Sequence, residues 1–442
     1  MRALWLSLLA LTPATSSWAV GETTLFSRDD ADPWYLGGQI NVIAQGHPSF
    51  RSPYAGENSL SAEADMRVSF VGTLYMGFLF STGTEITAAL EMAAGGGIGD
   101  ALGAAAFTNL DVVRNPTLSS EPYLAKVALK QVFDLGGSQV TVARAPNALA
   151  TKLPENRLSI TLGKLSTVDA FDLNSAGSDS HRGFLSWAID NNAAYDYAAD
   201  TRGYSWGLQA ELTLRDFSAR LGLMAMPKVA NGLEVDFNLF RARGLNLELE
   251  LRQTWLFGRP GVIRLLGFAN TANMGLYDEA IAASAGGRPS VETTRIQGRT
   301  KPGAGINLEE TVVGDVVLFA RASISDGALE SFAYTECDDS VSGGAVAPGE
   351  LWGRDGDRLG LAAVTSGLAG PHRRYLEHGG LGFLLGDGKL SYARETAVEA
   401  FYDAHVWSGL SVAVDGQLLA NPGYNRDRGP VVVGALRMHV AI

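Results

Sequence analysis

The stretch Leu245-Asn246-Leu247-Glu248-Leu249-Glu250-Leu251-Arg252 sets leucine at every second position, with a polar or charged residue between. A period of two is that of a β-strand with one apolar and one polar face; a helix would scatter these leucines round its circumference. The same alternation recurs along the chain. Val432, Gly434, Leu436, Met438, Val440 and Ile442 share one face of the last segment, with Arg437 and His439 on the other. Val412, Val414, Leu418 and Ala420 oppose Ser411, Asp415 and Gln417, while Ala400, Tyr402, Ala404 and Val406 oppose Glu399, Asp403 and His405. Trp206, Leu208, Ala210, Leu212 and Leu214 oppose Gln209, Glu211, Thr213 and Arg215. The chain is predicted to be all-β.

The connections fall into two kinds. Arg215-Asp216, Val313-Gly314-Asp315 and Ser408-Gly409 are tight turns. Residues 93–120, 166–203, 272–303 and 332–357 read as long connections, polar or rich in glycine. Several structureless loops of that length are unusual in a soluble domain. They are the rule in transmembrane antiparallel β-barrels, where short periplasmic turns alternate with long outer loops. A soluble β-sandwich also alternates, burying its apolar face and wetting its charges. Three features favour the barrel. The polar rows carry both signs of charge, as a wet lumen would. Aromatic residues (Tyr204, Trp206, Trp255, Phe257, Trp407) gather near strand ends, where interfacial girdles lie. The third is an export signal without cysteine pairs.

That signal is the N-terminus. Arg2 is followed by the apolar run 3–11 and by Ser17-Trp18-Ala19, a small-x-small cleavage pattern. Residues 1–19 are therefore expected to be a signal peptide and residues 20–442 a single barrel domain. No later run approaches the roughly 18 apolar residues of a spanning helix. Of 442 residues, 46% are apolar, too many for a disordered chain, and the one cysteine, Cys337, allows no disulfide framework. Thirty-five basic against 47 acidic groups leave a net charge of −12, which argues against nucleic acid as a partner.

Motifs of catalysis fail on context. Gly203-Tyr204-Ser205-Trp206-Gly207 matches the G-x-S-x-G nucleophile elbow, but that elbow needs a helix after the serine and Leu208–Leu214 has a strand period. Gly95-Gly96-Gly97-Ile98-Gly99-Asp100 lacks the lysine and hydroxyl of a phosphate loop. His372, Glu377 and His378 fit no closed zinc spacing. Glycosidase chemistry needs two carboxyls opposed in a cleft. Here Glu248, Glu250, Asp403 and Asp415 recur along strands, so lining a lumen is the simpler role. No metal, cofactor or enzymatic activity is expected.

One block is more specific than periodicity. Ala420-Asn421-Pro422-Gly423-Tyr424-Asn425-Arg426-Asp427-Arg428-Gly429-Pro430, followed by a terminal strand, resembles the end of the carbohydrate-selective porins of the OprB type. Other blocks agree in order: Gln45-Gly46-His47-Pro48-Ser49-Phe50, Pro53-Tyr54, Asn58-Ser59-Leu60, Leu162-Gly163-Lys164, and Phe184-Leu185-Ser186-Trp187. Then follow Asp196-Tyr197-Ala198-Ala199-Asp200, Gly379-Gly380-Leu381-Gly382 and Gly386-Asp387-Gly388-Lys389-Leu390. The chain ends in Ile442, where such barrels commonly end in phenylalanine.

The resemblance implies a bacterial outer-membrane barrel of roughly 16 strands, passing sugars by diffusion through a constricted channel. Divided over that many strands, residues 20–442 leave about 26 residues per strand and connection, enough for tilted spans of roughly 9–11 residues. Apolar rows then face lipid and polar rows face water. Sugars call for hydroxyl partners and aromatic faces. The lumen candidates are Glu248, Glu250, Arg252, Glu399, Asp403, His405, Asp415, Gln417, Arg437 and His439. The loop 166–202 is expected to fold inward and set the constriction through Asp169, Asp172, Arg182, Trp187 and Tyr195, with a short helix within 184–197. A non-selective porin and an exported hydrolase remain the alternatives, and both a monomer and a trimer fit.

Overall fold

The structure, a computed structural model, describes residues 24–26, 31–112, 120–179, 181–333 and 336–442; the expected signal peptide lies outside them. Sixteen strands form the wall: β1 (Trp34–His47), β2 (Asp65–Ser81), β3 (Thr84–Gly95), β4 (Tyr123–Asp134), β5 (Arg157–Leu165), β6 (Ser205–Leu214), β7 (Phe217–Pro227), β8 (Arg243–Gln253), β9 (Gly261–Met274), β10 (Ile296–Thr311), β11 (Val317–Ser325), β12 (Asp339–Pro348), β13 (Arg358–Gly367), β14 (Glu395–Trp407), β15 (Leu410–Ala420) and β16 (Val431–Ala441). Each pairs antiparallel with the next, and β1 pairs with β16 from Gln39↔Ala441 to Gly46↔Gly434. The sheet closes on itself. Closure gives the wall's backbone donors and acceptors partners within the sheet, which hydrocarbon demands of a spanning structure.

The alternation read from the leucines sets the facing. Leu245, Leu247, Leu249 and Leu251 stand outward at 38–45% exposure, while Asn246, Glu248 and Glu250 point inward at 5% or less. On β16, Val432, Leu436 and Met438 are exposed and Arg437 and His439 buried. This inverts a soluble protein: the apolar rows are outside and the charges within. Among the described residues no helix is long and apolar enough to cross a membrane.

The two rims differ. One carries the turns 82–83, 215–216, 312–316 and 408–409, and the other the connections 96–122, 166–204, 275–295 and 368–394. The turn at 408–409 works because Gly409 adopts φ +76°, and a Cβ there would stand 2.5 Å from the Ala441 carbonyl oxygen. Trp34, Phe80, Trp255, Phe257 and Trp407 are exposed at the strand ends of the short-turn rim, as an interfacial girdle requires.

Three expectations change. Residues 332–357 are not one loop, because they contain β12. Its inward Ser340 and Ser342 and outward Gly343 and Ala345 carry too little hydrophobic contrast to show alternation. The connection expected over 272–303 shrinks to 275–295, because β9 and β10 run on past a register shift at Ala272/Asn273. The helix within 184–197 is one turn, Trp187–Asp190.

Candidate functional site

Residues 166–204 leave β5, enter the barrel and return to β6, and most of them are buried. Wall carboxylates hold this loop by accepting from its backbone. Glu399 takes the N–H groups of Leu185 and Ser186, the second at 2.9 Å, and Glu248 takes that of Asp172 at 2.7 Å. Wall cations hold it by donating to its carbonyls. Arg437 donates to Gly183 O at 2.8 Å, and Arg321 to Ile189 O at 2.7 Å. Arg182 closes a 2.7 Å ion pair with Asp403. Hydrogen bonds to charged groups contribute about 1.5–3 kcal/mol each, so the loop is fixed in place.

Residues 96–112 of a second loop join it. Glu395 accepts from Ala105 N and Ala106 N and, from the connection after the adjacent strand β15, from Gly423 N at 2.7 Å. Gln45 and Gln417 both donate to Thr108 O, at 2.7 and 2.9 Å. The asparagine-proline block is part of this clamp. Arg428 bonds Asp387 and the Leu60 carbonyl, and so ties three outer connections together.

Between the two loops and the inner faces of β2, β3 and β4 lies an aperture of about 190 Å³. That is far above the ~10–15 Å³ a water needs, so the gap is wet. Its lining includes Glu91, Tyr123, Lys126, Asp169, His181, Trp187, Arg202 and Tyr204. Glu91 accepts from the Tyr123 hydroxyl and, at 2.9 Å, from the Tyr204 hydroxyl. The Arg202 guanidinium lies 3.7 Å from the centre of the Tyr123 ring. Lys126 meets Asp169 at 2.6 Å and His181 meets Asp111 at 3.3 Å. Trp187 stacks on Tyr197 with centroids 6.2 Å apart.

Two loop groups titrate far from their ordinary range. Burial opposes charge on His181, but Asp111, with Asp179 and Glu91 behind it, lifts its imidazole to about 9. Burial raises the Asp190 carboxyl to about 8; Arg321 opposes this, and Asp179 and Asp172 add to it. Near neutral pH the loop therefore holds a charged histidine and a protonated aspartate.

The residues expected from the sequence divide by place. Asp169 and Trp187 line the aperture. Asp172 accepts from Asn192 and Asn307, Arg182 pairs with Asp403, and the Tyr195 hydroxyl donates to Asn246 at 2.7 Å, so these three fix the loop's fold. Glu248 and Glu250 form an ion cluster with Arg220 at 2.8 and 2.9 Å. Arg252 pairs with Glu250 at 2.5 Å and bonds carbonyls near the 215–216 turn. Glu399, Asp403, Gln417 and Arg437 hold the loops, with Asp415 beside Gln417 at 3.4 Å and His439 stacked against His181. His405 sits at the short-turn rim, its N–H on Asp357.

Tyr204, expected in a girdle, faces the aperture instead. Tyr123 and Lys126 escape a period-two reading because of a register shift. Leu90 pairs with Leu124 and Ala89 with Lys126, so Ala125 is an extra residue, and Tyr123 and Lys126, three positions apart, both face inward. Tyr123 and Glu91 carried no other local signal.

Comparisons with known proteins agree with this geometry. A family model described as carbohydrate-selective porin, OprB family, matches residues 59–442. Among solved structures, Pseudomonas putida OprB superposes with a TM-score of 0.71 at 15% identity, covering 93% of this chain and 94% of that one. The outer membrane channel DcaP of Acinetobacter baumannii gives 0.51 at 10% identity, over 92% and 97% of the two chains. Salmonella typhi OmpF gives 0.51 at 10% identity, over 94% and 99%. Sequence comparison with curated proteins finds no match.

Proposed function

The chain belongs to the OprB family of carbohydrate-selective porins, and from that premise we propose that the aperture under the 166–204 loop is where sugars are selected. The protein is an outer-membrane carbohydrate porin, a channel rather than an enzyme. The finer reading concerns how it discriminates. The observation that carries it is that charged groups around the aperture are already engaged: Lys126 pairs with Asp169 and His181 with Asp111, and Glu91 accepts from two tyrosine hydroxyls.

A paired ring presents hydrogen-bonding edges with little net field. Small neutral polyols exchange water for these edges at little cost, whereas an ion sheds hydration without gaining an unpaired counter-charge. Trp187 and Tyr204 supply flat apolar surface for the C–H face of a sugar ring. Affinity stays weak because Glu91, Lys126, Asp169 and His181 already have protein partners. Mono- and small oligosaccharides are the solutes this aperture suits. Of the ten wall residues, Glu248, Glu399, Asp403, Gln417 and Arg437 act by holding the loops that shape it, and the outward leucine rows meet outer-membrane lipid.

Liposome swelling tests this. Proteoliposomes should admit neutral sugars faster than ions of similar size, and Trp187→Ala with Tyr204→Phe should erase the preference. Equal rates for sugars and ions in the unmodified protein would make it a general porin.

A further inference from the structure

The connection 135–156 is the exception on the short-turn rim, and it does not hang free. It carries a small hairpin, Gln139–Thr141 against Lys152–Pro154, and its tip turns back into the barrel mouth. Leu149 is 1% exposed and lies on the inner wall: a Cβ on Gly77 would stand 2.8 Å from its Cδ1 and 3.3 Å from Thr87. Glu85, inward and 3% exposed, accepts from Leu149 N at 2.8 Å and Ala150 N at 3.3 Å. This is the device by which Glu399 and Glu395 hold the outer loops, here at the opposite end. Arg144 fixes the other side of the tip. It donates to the carbonyls of Asp32 and Trp34 at 2.7 and 2.9 Å and lies over the Tyr35 ring at 5.5 Å.

The position matters. Gly77 pairs with Tyr35 on one side and Thr87 on the other, so the tip covers one layer of the wall across β1, β2 and β3. The next layer inward is Tyr75↔Ala89, and both residues line the aperture. Two residues along a strand are about 7 Å. A solute leaving the aperture along this wall meets the tip within that distance. Ala145 and Ala148 bond each other's backbone reciprocally at 2.9 and 3.0 Å, so the tip is a closed turn of fixed shape.

We propose that residues 144–150 form a second constriction at the periplasmic exit, in series with the aperture and latched by Glu85. It governs release of solute on the side away from the sugar-selecting loops. The inference rests on the chain being a channel, and its test uses potassium chloride alone, so it stands or falls apart from the sugar reading.

Full-length protein in planar bilayers provides that test, with circular dichroism confirming each variant as folded. Leu149→Trp fills the exit and should roughly halve single-channel conductance, as a narrowed wet pore does. Glu85→Ala releases the tip and should raise conductance and open-level noise, while Glu85→Gln, which keeps an acceptor oxygen, should remain near the unmodified protein. Should Leu149→Trp fail to fold, Asn147→Cys labelled from the short-turn side with thiol reagents of increasing size should lower the current stepwise; Cys337, the native cysteine, is buried. Unchanged conductance in Leu149→Trp and Glu85→Ala, or in the labelled Asn147→Cys, would overturn the second constriction.

Discussion

Arg437, on the last strand, donates to the carbonyl oxygen of Gly183 at 2.8 Å, across a sequence separation of 254 residues. A wall residue that seemed suited to sugar hydroxyls thus holds the loop that defines the pore. Arg437→Met should leave the barrel folded and its thermal unfolding in detergent nearly unmoved. It removes charged hydrogen bonds worth about 1.5–3 kcal/mol each from the loop, so single-channel recordings should show added noise and larger open levels. A quiet channel of native conductance would show that Arg437 is dispensable for the loop.

The neighbouring position should behave oppositely. Leu436 is 53% exposed on the outer face. An arginine near the bilayer midplane on that face costs roughly 2–4 kcal/mol. Leu436→Arg should therefore lower folding stability in lipid vesicles by about that amount, with conductance of the surviving fraction unchanged. Equal folding losses at 436 and 437 would contradict the assigned facing.

The contrast shows what was legible in the sequence. The alternation at Leu245–Arg252 gives strand, facing and, by repetition, barrel, because a strand's two faces are written two residues apart. β12 was illegible because serine, glycine and alanine differ too little in hydropathy. The role of Glu399 was illegible for another reason: its partners, Leu185 and Ser186, are backbone groups more than 200 positions away, and no local pattern encodes them. Tyr123 and Lys126 were masked by the extra residue Ala125.

Glu399 supplies a sharper version of the same test. Glu399→Ala leaves two buried loop N–H groups without their acceptor, at a cost of about 1–3 kcal/mol for each unsatisfied group. Glu399→Gln keeps an acceptor oxygen and should lose less. Limited proteolysis from the outer side should cut the 166–204 loop faster in the alanine variant than in glutamine or the unmodified protein. Identical cleavage in all three would remove Glu399 from the account.

Alkaline pH should loosen the loop. The imidazole of His181 is raised to about 9, so its contribution is complete below about 6.5 and disappears as pH climbs through 9. Asp190 is raised to about 8, so the folded loop prefers its protonated form, and that preference is lost as pH rises from about 4 through 8. Both act in one direction. Between pH 7 and 10 conductance noise should grow, and His181→Gln should remove the part above pH 8. A flat profile in the unmodified protein would contradict these titrations.

The most direct test of the whole is a planar-bilayer recording of the purified protein with a panel of neutral sugars added to one chamber. The account predicts discrete conductance steps that fall as sugar is added, saturably, and a weakened block in Trp187→Ala. Stable steps indifferent to every sugar, or no insertion at all, would contradict it.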